Sequence, residues 1–265
     1  MMLTLKLHNI QYSQLDPRTW CATAQVTAPY PLDSLDLFSN SPLLLNANLL
    51  NIKNYELCRI TWHYHIPNPS LSARKTAYHQ RKQQRAGVRL LLQSLLNKLD
   101  IIDNLDDTRF PYRLVKNQYF VCFSHTGASG QNTLTQHEEE KTFDGLDNKV
   151  AVVISCHRAV GIDIETNSVE WRVAQRFYHA NELTVLQALS IMQRDTVAKL
   201  LWQIKECFIK IHQYKLAQGL GMDYSHLMTG LINSIKEKLP LLVFEDDKTK
   251  YHLAYLSEQQ TVIVY

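Results

Sequence analysis

The sequence predicts an α+β protein made of two similar halves. Strand-like runs rich in β-branched and aromatic residues flank a long amphipathic helix in the first half, and the same order of elements recurs in the second. The chain has 265 residues, of which 45% are hydrophobic and 20% charged, a balance typical of globular proteins with a sizeable core. We place the boundary between the halves after residue 121, giving segments 1–121 and 122–265.

In the first half, three segments predict strands because they alternate or are enriched in β-formers: residues 3–10, 20–28 and 58–66. A helix is predicted from Ser72 through Ile101, because apolar residues recur there at spacings of three and four. These apolar positions are Val88, Leu91, Leu92, Leu95, Leu99 and Ile102. Residues 118–124 predict a further strand. The polar segment 127–148 has no periodicity and predicts a surface loop.

In the second half, residues 149–155 and 159–165 predict two strands joined by a turn at Cys156–Arg158. Helices are predicted from about residue 169 to 189 and from about 195 to 218. We expect Gly219 and Gly221 to close the second helix, as glycines do just past a helix end. Residues 238–246 and 250–265 predict a closing antiparallel meander.

Composition excludes several classes of protein. The net charge of +3 is too small to indicate nucleic-acid binding by itself. The five cysteines form no C-x-x-C pair, which argues against a disulfide framework and a structural zinc site. The N-terminus lacks the pattern of a secretory signal, and no apolar run approaches the length of a membrane span. We therefore expect a cytoplasmic protein with no membrane contact.

The stretch VGIDIE carries two carboxylates inside an apolar strand. Residues two apart in a strand share a face, so Asp163 and Glu165 point one way and Ile162 and Ile164 the other. Neighbouring carboxylates repel unless a cation lies between them, and an oxygen-rich pair suits Mg²⁺. The alternative is the polar end of an edge strand paired with nearby lysine or arginine.

The stretch LLWQIKECFIK predicts a helix with a polar face. Its apolar stripe consists of Val197, Leu201, Ile204, Phe208 and Ile211. Glu206 and Lys210 lie four residues apart on the opposite face, where the alternative interpretation is an ordinary surface ion pair. Trp202 lies one turn before Glu206. A tryptophan, an acid and a base along one face predict the wall of a site.

Together these two stretches resemble the signature of the Sfp-type 4′-phosphopantetheinyl transferases, G-[IV]-D-[IVL]-E followed by W-x-x-K-E-[AS]-x-x-K. The second motif begins here at Trp202, and Cys207 replaces the usual small residue. Residues 124–126 match the S-H-[ST] element of the same family. Two departures are present: Phe110 replaces a basic residue before a proline, and residues 127–148 are largely an insertion.

The resemblance implies a monomer of two α+β halves related by a pseudo-twofold, with the active site between them. It implies Mg²⁺-dependent transfer of 4′-phosphopantetheine from coenzyme A to a serine of an acyl, peptidyl or polyketide carrier protein, releasing 3′,5′-ADP. By matching positions, Asp163, Glu165 and Glu206 would hold the metal. The coenzyme would be bound by Ser124, His125 and Lys205, with Lys210 beside the transferring group.

The chemistry of these residues is consistent with such a transfer. Glu206 is a candidate base for the serine proton, and Lys210 can stabilise developing negative charge. Arg81, Arg85 and Arg89 follow at four-residue steps, with Arg74 upstream. We interpret this basic stripe as a site for the 3′-phosphate of coenzyme A, and the alternative is a solvated helix face.

Two other functions remain open from the sequence. The same three carboxylates would also suit an Mg²⁺-dependent phosphodiesterase or nucleotidyl transferase. The chain would alternatively be a non-catalytic module that binds coenzyme A or a carrier protein. Incubation with coenzyme A alone separates the first of these from the transferase, because a phosphodiesterase needs no carrier.

Overall fold

The computed structural model describes residues 5–27, 73–127, 148–237 and 241–265. They form two antiparallel sheets and six α-helices, so the predicted α+β class is confirmed. No helix within these ranges has the length and apolar character needed to cross a membrane. The pseudo-twofold relation between the halves stays a prediction.

The first sheet has six strands in the spatial order β1-β2-β6-β5-β4-β3. The strands are β1 (Lys6–Asp16), β2 (Thr19–Thr27), β3 (Leu105–Asp106), β4 (Tyr112–Leu114), β5 (Phe120–Thr126) and β6 (Asn148–Ser155). Helix α1 (Ala73–Lys98) covers one face of this sheet. Its apolar stripe, with Leu91 and Leu95 fully buried, packs against alternate residues of β6 such as Val152.

The second sheet has four strands in the order β7-β10-β9-β8. They are β7 (Gly161–Ile164), β8 (Leu241–Glu245), β9 (His252–Leu256) and β10 (Thr261–Val264). The helices of this half are α2 (Trp171–Phe177), α3 (Ala180–Gln187), α4 (Ile191–His212), α5 (Leu216–Leu220) and α6 (Met228–Glu237). Helix α4 packs against β7 and β10 through the predicted stripe, in which Leu201 and Phe208 are buried.

Helix α4 approaches β7 very closely at Gly161. A Cβ atom added at this glycine would lie 2.5 Å from the carbonyl oxygen of Cys207. Only a residue without a side chain allows the two main chains to touch in this way.

The two sheets pack face to face through a third core cluster. Cys122 and Val153 of the first sheet meet Ile162, Ile164 and Ile263 of the second. The layers are therefore α1, first sheet, second sheet and α4. This packing brings β5 of the first sheet against β7, which is an edge strand of the second.

The two strands predicted on either side of the turn at Cys156–Arg158 lie in different sheets. Strands β6 and β7 are not hydrogen-bonded neighbours, because the turn carries the chain from the first sheet to the second. Residue 121 lies within β5, and the hydrogen-bonded sheets divide between Ser155 and Gly161. The predicted domain boundary after residue 121 stays a prediction.

The helical predictions were correct in type but wrong in several limits. The helix predicted from about residue 169 to 189 is two helices, α2 and α3. The helical structure is interrupted at His179, which adopts an extended conformation and caps α3 together with Glu182. Helix α4 ends at His212, since Gln213 adopts a left-handed conformation with φ 58°. Gly219 instead lies within α5, where its missing side chain admits Ile209. Helix α6 was not predicted.

Three predictions fall on residues outside the described ranges. These are the strand at 58–66, almost all of the loop at 127–148, and the start of the meander at 238–240.

Candidate active site

Strand β7 and the residue that follows it present two acidic side chains, Asp163 and Glu165, toward α4. Ile162 and Ile164 are buried in the core between the sheets, as the predicted alternation requires. Asp163 lies opposite Val262 of β10, a residue packed in the core beneath α4. The D-x-E pair therefore lines the narrow space between the second sheet and its covering helix.

Lys210 of α4 is the cation that meets Asp163. Its Nζ atom lies 3.0 Å from Asp163 Oδ1 and donates a hydrogen bond to the carbonyl oxygen of Ile162 at 2.7 Å. Burial alone would lower the pKa of Lys210, but the neighbouring Asp163 carboxylate outweighs it, so the pKa lies above its ordinary value. Lys210 thus stays charged at neutral pH, and the alternative of a surface pair with Glu206 is wrong.

Glu206 lies one turn before Lys210 and is half-buried. Burial raises its pKa above the ordinary value, and the charges of Asp163 and Glu165 raise it further, while Lys210 opposes them. In the described ranges, no hydrogen bond or ion pair holds the Glu206 carboxylate. The three acidic residues therefore influence one another electrostatically, and Glu206 is the one whose carboxylate has no bonding partner among the described residues.

Two hydroxyl groups from β5 complete the acidic strand. Ser124 Oγ donates to Asp163 Oδ1 at 2.9 Å and accepts a bond from the main-chain nitrogen of Ile164 at 3.2 Å. Thr126 Oγ1 donates to Glu165 Oε1 at 3.2 Å. The bond from Ile164 satisfies a main-chain group on the free edge of β7.

His125 and Arg85 lie near this cluster from the side of the first sheet. His125 is exposed on β5, yet partial desolvation and the charges of Lys210 and Arg85 hold its pKa below the ordinary value. The neutral ring is therefore favoured at neutral pH while no anion is bound. Arg81 and Arg85 are both exposed on α1, as a phosphate-binding stripe requires.

The other predicted arginines differ from these two. Arg89 pairs with Asp107 and donates to the carbonyl oxygen of Arg85. Its guanidinium is thus already engaged by the protein. The side chain of Arg74 lies outside the described residues.

Lys205 does not join the site. Its ammonium is fully buried, lies 2.9 Å from Glu182 Oε1, and donates to the carbonyl oxygens of Leu220 and Met222 at 2.7 and 2.5 Å. All three of its hydrogens thus have acceptors within the protein. The expected contact with the coenzyme is replaced by a structural one, because Lys205 flanks the apolar stripe and points inward.

Trp202 also has a different position from the one expected. Its ring packs against the aromatic rings of Phe177 and Tyr178, each with a centroid distance of 6.4 Å. It joins α4 to α2 and α3 and does not form a wall of the acidic cluster.

Two polar residues of α4 that were not predicted from the sequence lie on the same face as Glu206 and Lys210. Lys199 and Gln203 continue the stripe of Glu206 and Lys210 at spacings of four, three and four, which place them on one helix face. Gln203 donates to the main-chain oxygen of Asp163 at 3.2 Å. Burial lowers the pKa of Lys199, although the nearby Glu165 partly opposes this. The 4-3-4 spacing was the available signal.

The donor chemistry of the cluster fits a hard cation such as Mg²⁺. Within the described ranges, no three His, Cys, Asp or Glu residues are gathered closely enough to form a complete metal site. Mg²⁺, however, commonly takes only one or two protein carboxylates and fills its remaining positions with water and substrate phosphate. Asp163 and Glu165 satisfy that smaller requirement, and the metal stays a prediction.

A family model described as the 4′-phosphopantetheinyl transferase superfamily matches residues 159–262. The match lies in the second half of the chain and supports membership of this superfamily. The matched segment contains the D-x-E pair of β7 together with Glu206 and Lys210. A comparison with curated proteins finds no match.

This match supports a phosphopantetheinyl transferase activity in general terms. It also implies carrier proteins and coenzyme A as the general partners of such an enzyme. The narrower resemblance to the Sfp-type members stays a prediction.

Proposed function

We propose that the protein transfers 4′-phosphopantetheine from coenzyme A to a serine hydroxyl of an acyl or peptidyl carrier protein, with Mg²⁺, releasing 3′,5′-ADP. The observation that carries the proposal is the arrangement of Asp163, Glu165, Glu206 and Lys210. These residues lie between β7 and α4, inside the segment that matches the superfamily.

In this proposal Glu206 accepts the proton of the attacking serine. A raised pKa makes a carboxylate a stronger base, and the carboxylate has no competing partner among the described residues. Lys210 holds a positive charge beside the place where the phosphorus is attacked, so it can stabilise the negative charge that develops there. Its bonds to Asp163 and Ile162 fix that charge in position.

Asp163 and Glu165 would hold the metal, with Glu206 as a further ligand or as the base. When bound, Mg²⁺ would neutralise charge on the pyrophosphate of coenzyme A. His125 and the exposed Arg81 and Arg85 would receive the phosphates of the coenzyme, because all three are accessible and Arg85 lies near enough to His125 to lower its pKa.

Intact-mass analysis of apo carrier proteins tests the proposal. Fatty-acid, polyketide, nonribosomal-peptide and aminoadipate-type carriers are each incubated with the protein, coenzyme A and Mg²⁺. At least one carrier should gain one phosphopantetheine group, with release of one 3′,5′-ADP per carrier. A carrier in which the acceptor serine is replaced by alanine should gain nothing.

Two further arms decide between the candidate functions. Coenzyme A without a carrier should remain intact, and its breakdown would instead indicate a phosphodiesterase. The failure of all four carrier classes to gain mass, with folded protein present, would overturn the proposal.

A further inference from the structure

The side chains of β5 and β7 meet in register across the boundary between the two sheets. Ser124 and Thr126 lie two residues apart on one face of β5, and Asp163 of β7 lies two residues before Glu165, which directly follows the strand. Each hydroxyl donates to the carboxylate opposite, at 2.9 and 3.2 Å. The first sheet thus sets the orientation of the acidic residues on the second.

The two hydroxyls have little capacity to bind a ligand directly. Ser124 and Thr126 are each only 7% exposed. A hydroxyl has one hydrogen to donate, and in both residues that hydrogen goes to a carboxylate. Ser124 Oγ also accepts the bond from Ile164, so a phosphate would have to displace contacts within the protein.

The bonds to the acidic side chains are distributed unevenly between their oxygens. Asp163 Oδ1 receives both Ser124 and Lys210. Glu165 Oε1 receives Thr126 and the main-chain and side-chain nitrogens of Asn167. In the described parts of the chain, no hydrogen bond engages Asp163 Oδ2 or Glu165 Oε2, so these are the oxygens available to a metal.

We propose that Ser124 and Thr126 are positioning residues, each of which holds one oxygen of a site carboxylate so that the other is presented to the metal. This assignment replaces the expectation that Ser124 contacts the coenzyme, and it rests on the proposed function. Groups that orient metal ligands in this way contribute strongly to metal affinity, although they never touch the metal.

Three variants test the proposal. Thr126→Val keeps the shape of the side chain but removes the hydroxyl, whereas Thr126→Ser keeps the hydroxyl. Ser124→Ala removes the other donor. The affinity for coenzyme A is measured by calorimetry in EDTA and across a series of Mg²⁺ concentrations, beside kcat and KM for transfer to a carrier.

In Ser124→Ala and Thr126→Val, the Mg²⁺ concentration that gives half of the metal-dependent gain in coenzyme affinity should rise about tenfold to a hundredfold. Thr126→Ser should restore most of the wild-type response. Affinity for coenzyme A in EDTA should be unchanged in all three variants, because neither hydroxyl contacts the coenzyme. At saturating Mg²⁺, KM for the coenzyme should approach the wild-type value.

Several outcomes would overturn the proposal. Weaker binding of coenzyme A by Ser124→Ala in EDTA would show that Ser124 contacts the coenzyme directly. An unchanged Mg²⁺ response in Thr126→Val would show that Thr126 does not position a metal ligand. If Ser124→Ala fails to fold, the Thr126 pair decides. A wild-type protein that transfers without any Mg²⁺ response would overturn this inference and the proposed metal but not the proposed transfer, whereas absence of transfer and of coenzyme binding would overturn the proposed function.

Discussion

Lys205 and Lys210 lie on the same helix, and each pairs with a carboxylate, but their environments differ. Lys205 and Glu182 are both fully buried, and the rings of Tyr178 and Tyr224 lie within 5.3 Å of the ammonium. Lys210 and Asp163 retain 22% and 12% of their side-chain exposure. One ion pair belongs to the core, and the other opens to solvent.

The two ammonium groups also differ in how many of their hydrogens the protein satisfies. An ammonium has three hydrogens. Lys205 donates all three within the protein, to Glu182 and two main-chain oxygens. In the described residues, Lys210 has acceptors for two, on Ile162 and Asp163, which leaves one for a substrate oxygen.

The largest expected effect is the loss of stability in Lys205→Met. The substitution leaves the Glu182 carboxylate buried without its cation, which should lower the free energy of unfolding by about 3–5 kcal/mol. Urea unfolding measures this change. Adding Glu182→Gln should recover part of the loss, because it neutralises the orphaned charge and retains an acceptor for the cap of α3.

This comparison between the lysines has a clear counter-result. If Lys205→Met unfolds like the wild type but binds coenzyme A less tightly, Lys205 is a ligand-binding residue after all and the structural assignment fails.

Next in size is the loss of turnover in Glu206→Gln and in Lys210→Met. Each should reduce kcat on the order of a hundredfold or more, since one variant removes the proton acceptor and the other the fixed cation. The double variant should be little worse than the poorer single variant, because both residues act on one transition state. Near-normal turnover in Glu206→Gln would assign the proton to another group.

The arginines of α1 provide a smaller effect with a matched control. Arg85→Ala should weaken coenzyme A binding about tenfold, as expected for a charge-assisted bond to phosphate. Arg89→Ala should leave binding unchanged, because that guanidinium is already paired with Asp107. Dephospho-coenzyme A, which lacks the 3′-phosphate, should bind the wild type and Arg85→Ala equally. If calorimetry shows that Arg85→Ala and Arg89→Ala change the affinity for coenzyme A equally, Arg85 is not a specific phosphate-binding residue.

The pKa of His125 measures the influence of Lys210 and Arg85 without an activity assay. Its pKa should lie below the ordinary value of 6.5 and should rise in Lys210→Met and in Arg85→Ala, since both positive charges disfavour the imidazolium. NMR titration of the ring measures this shift. A pKa that does not move in Lys210→Met would show that the lysine and the histidine are electrostatically independent.

The smallest effect concerns Asp223, which follows the main-chain oxygen bound by Lys205. Burial opposes ionisation, but hydrogen bonds from Ser225 and Asn181 outweigh it and lower the pKa of Asp223 from 3.8 to about 2. Its contribution to stability is therefore full above pH 3.8 and is lost as the pH falls through about 2. The stability difference between wild type and Asp223→Asn should close over that interval in pH-dependent unfolding. A constant difference would exclude Asp223 as its source.

Local periodicity was sufficient to predict much of the site. The two-residue period placed Asp163 and Glu165 on one face of a strand, and the spacing of four placed Glu206 and Lys210 together on α4. Both arrangements depend only on the geometry of a single element, and both are present in the structure.

The sequence did not show which partners these residues would find. Lys210 binds Asp163 and not Glu206, because the packing of α4 on β7 decides the nearest carboxylate. The bonds from Ser124 and Thr126 depend on how two sheets pack, which no local pattern encodes. The inward position of Lys205 was foreseeable, since it lies four residues after Leu201 and three before Phe208 on the buried face.

The main-chain contact between Gly161 and Cys207 has a consequence for engineering this protein. With no side chain between them, repacking the apolar residues of α4 has little freedom to widen the gap that separates β7 from the helix. We therefore expect substitutions of those residues to change the melting temperature more than the distance between β7 and α4. A single methyl group at position 161 would push α4 away from β7. This position is therefore where a designer would adjust the distance between the strand and the helix.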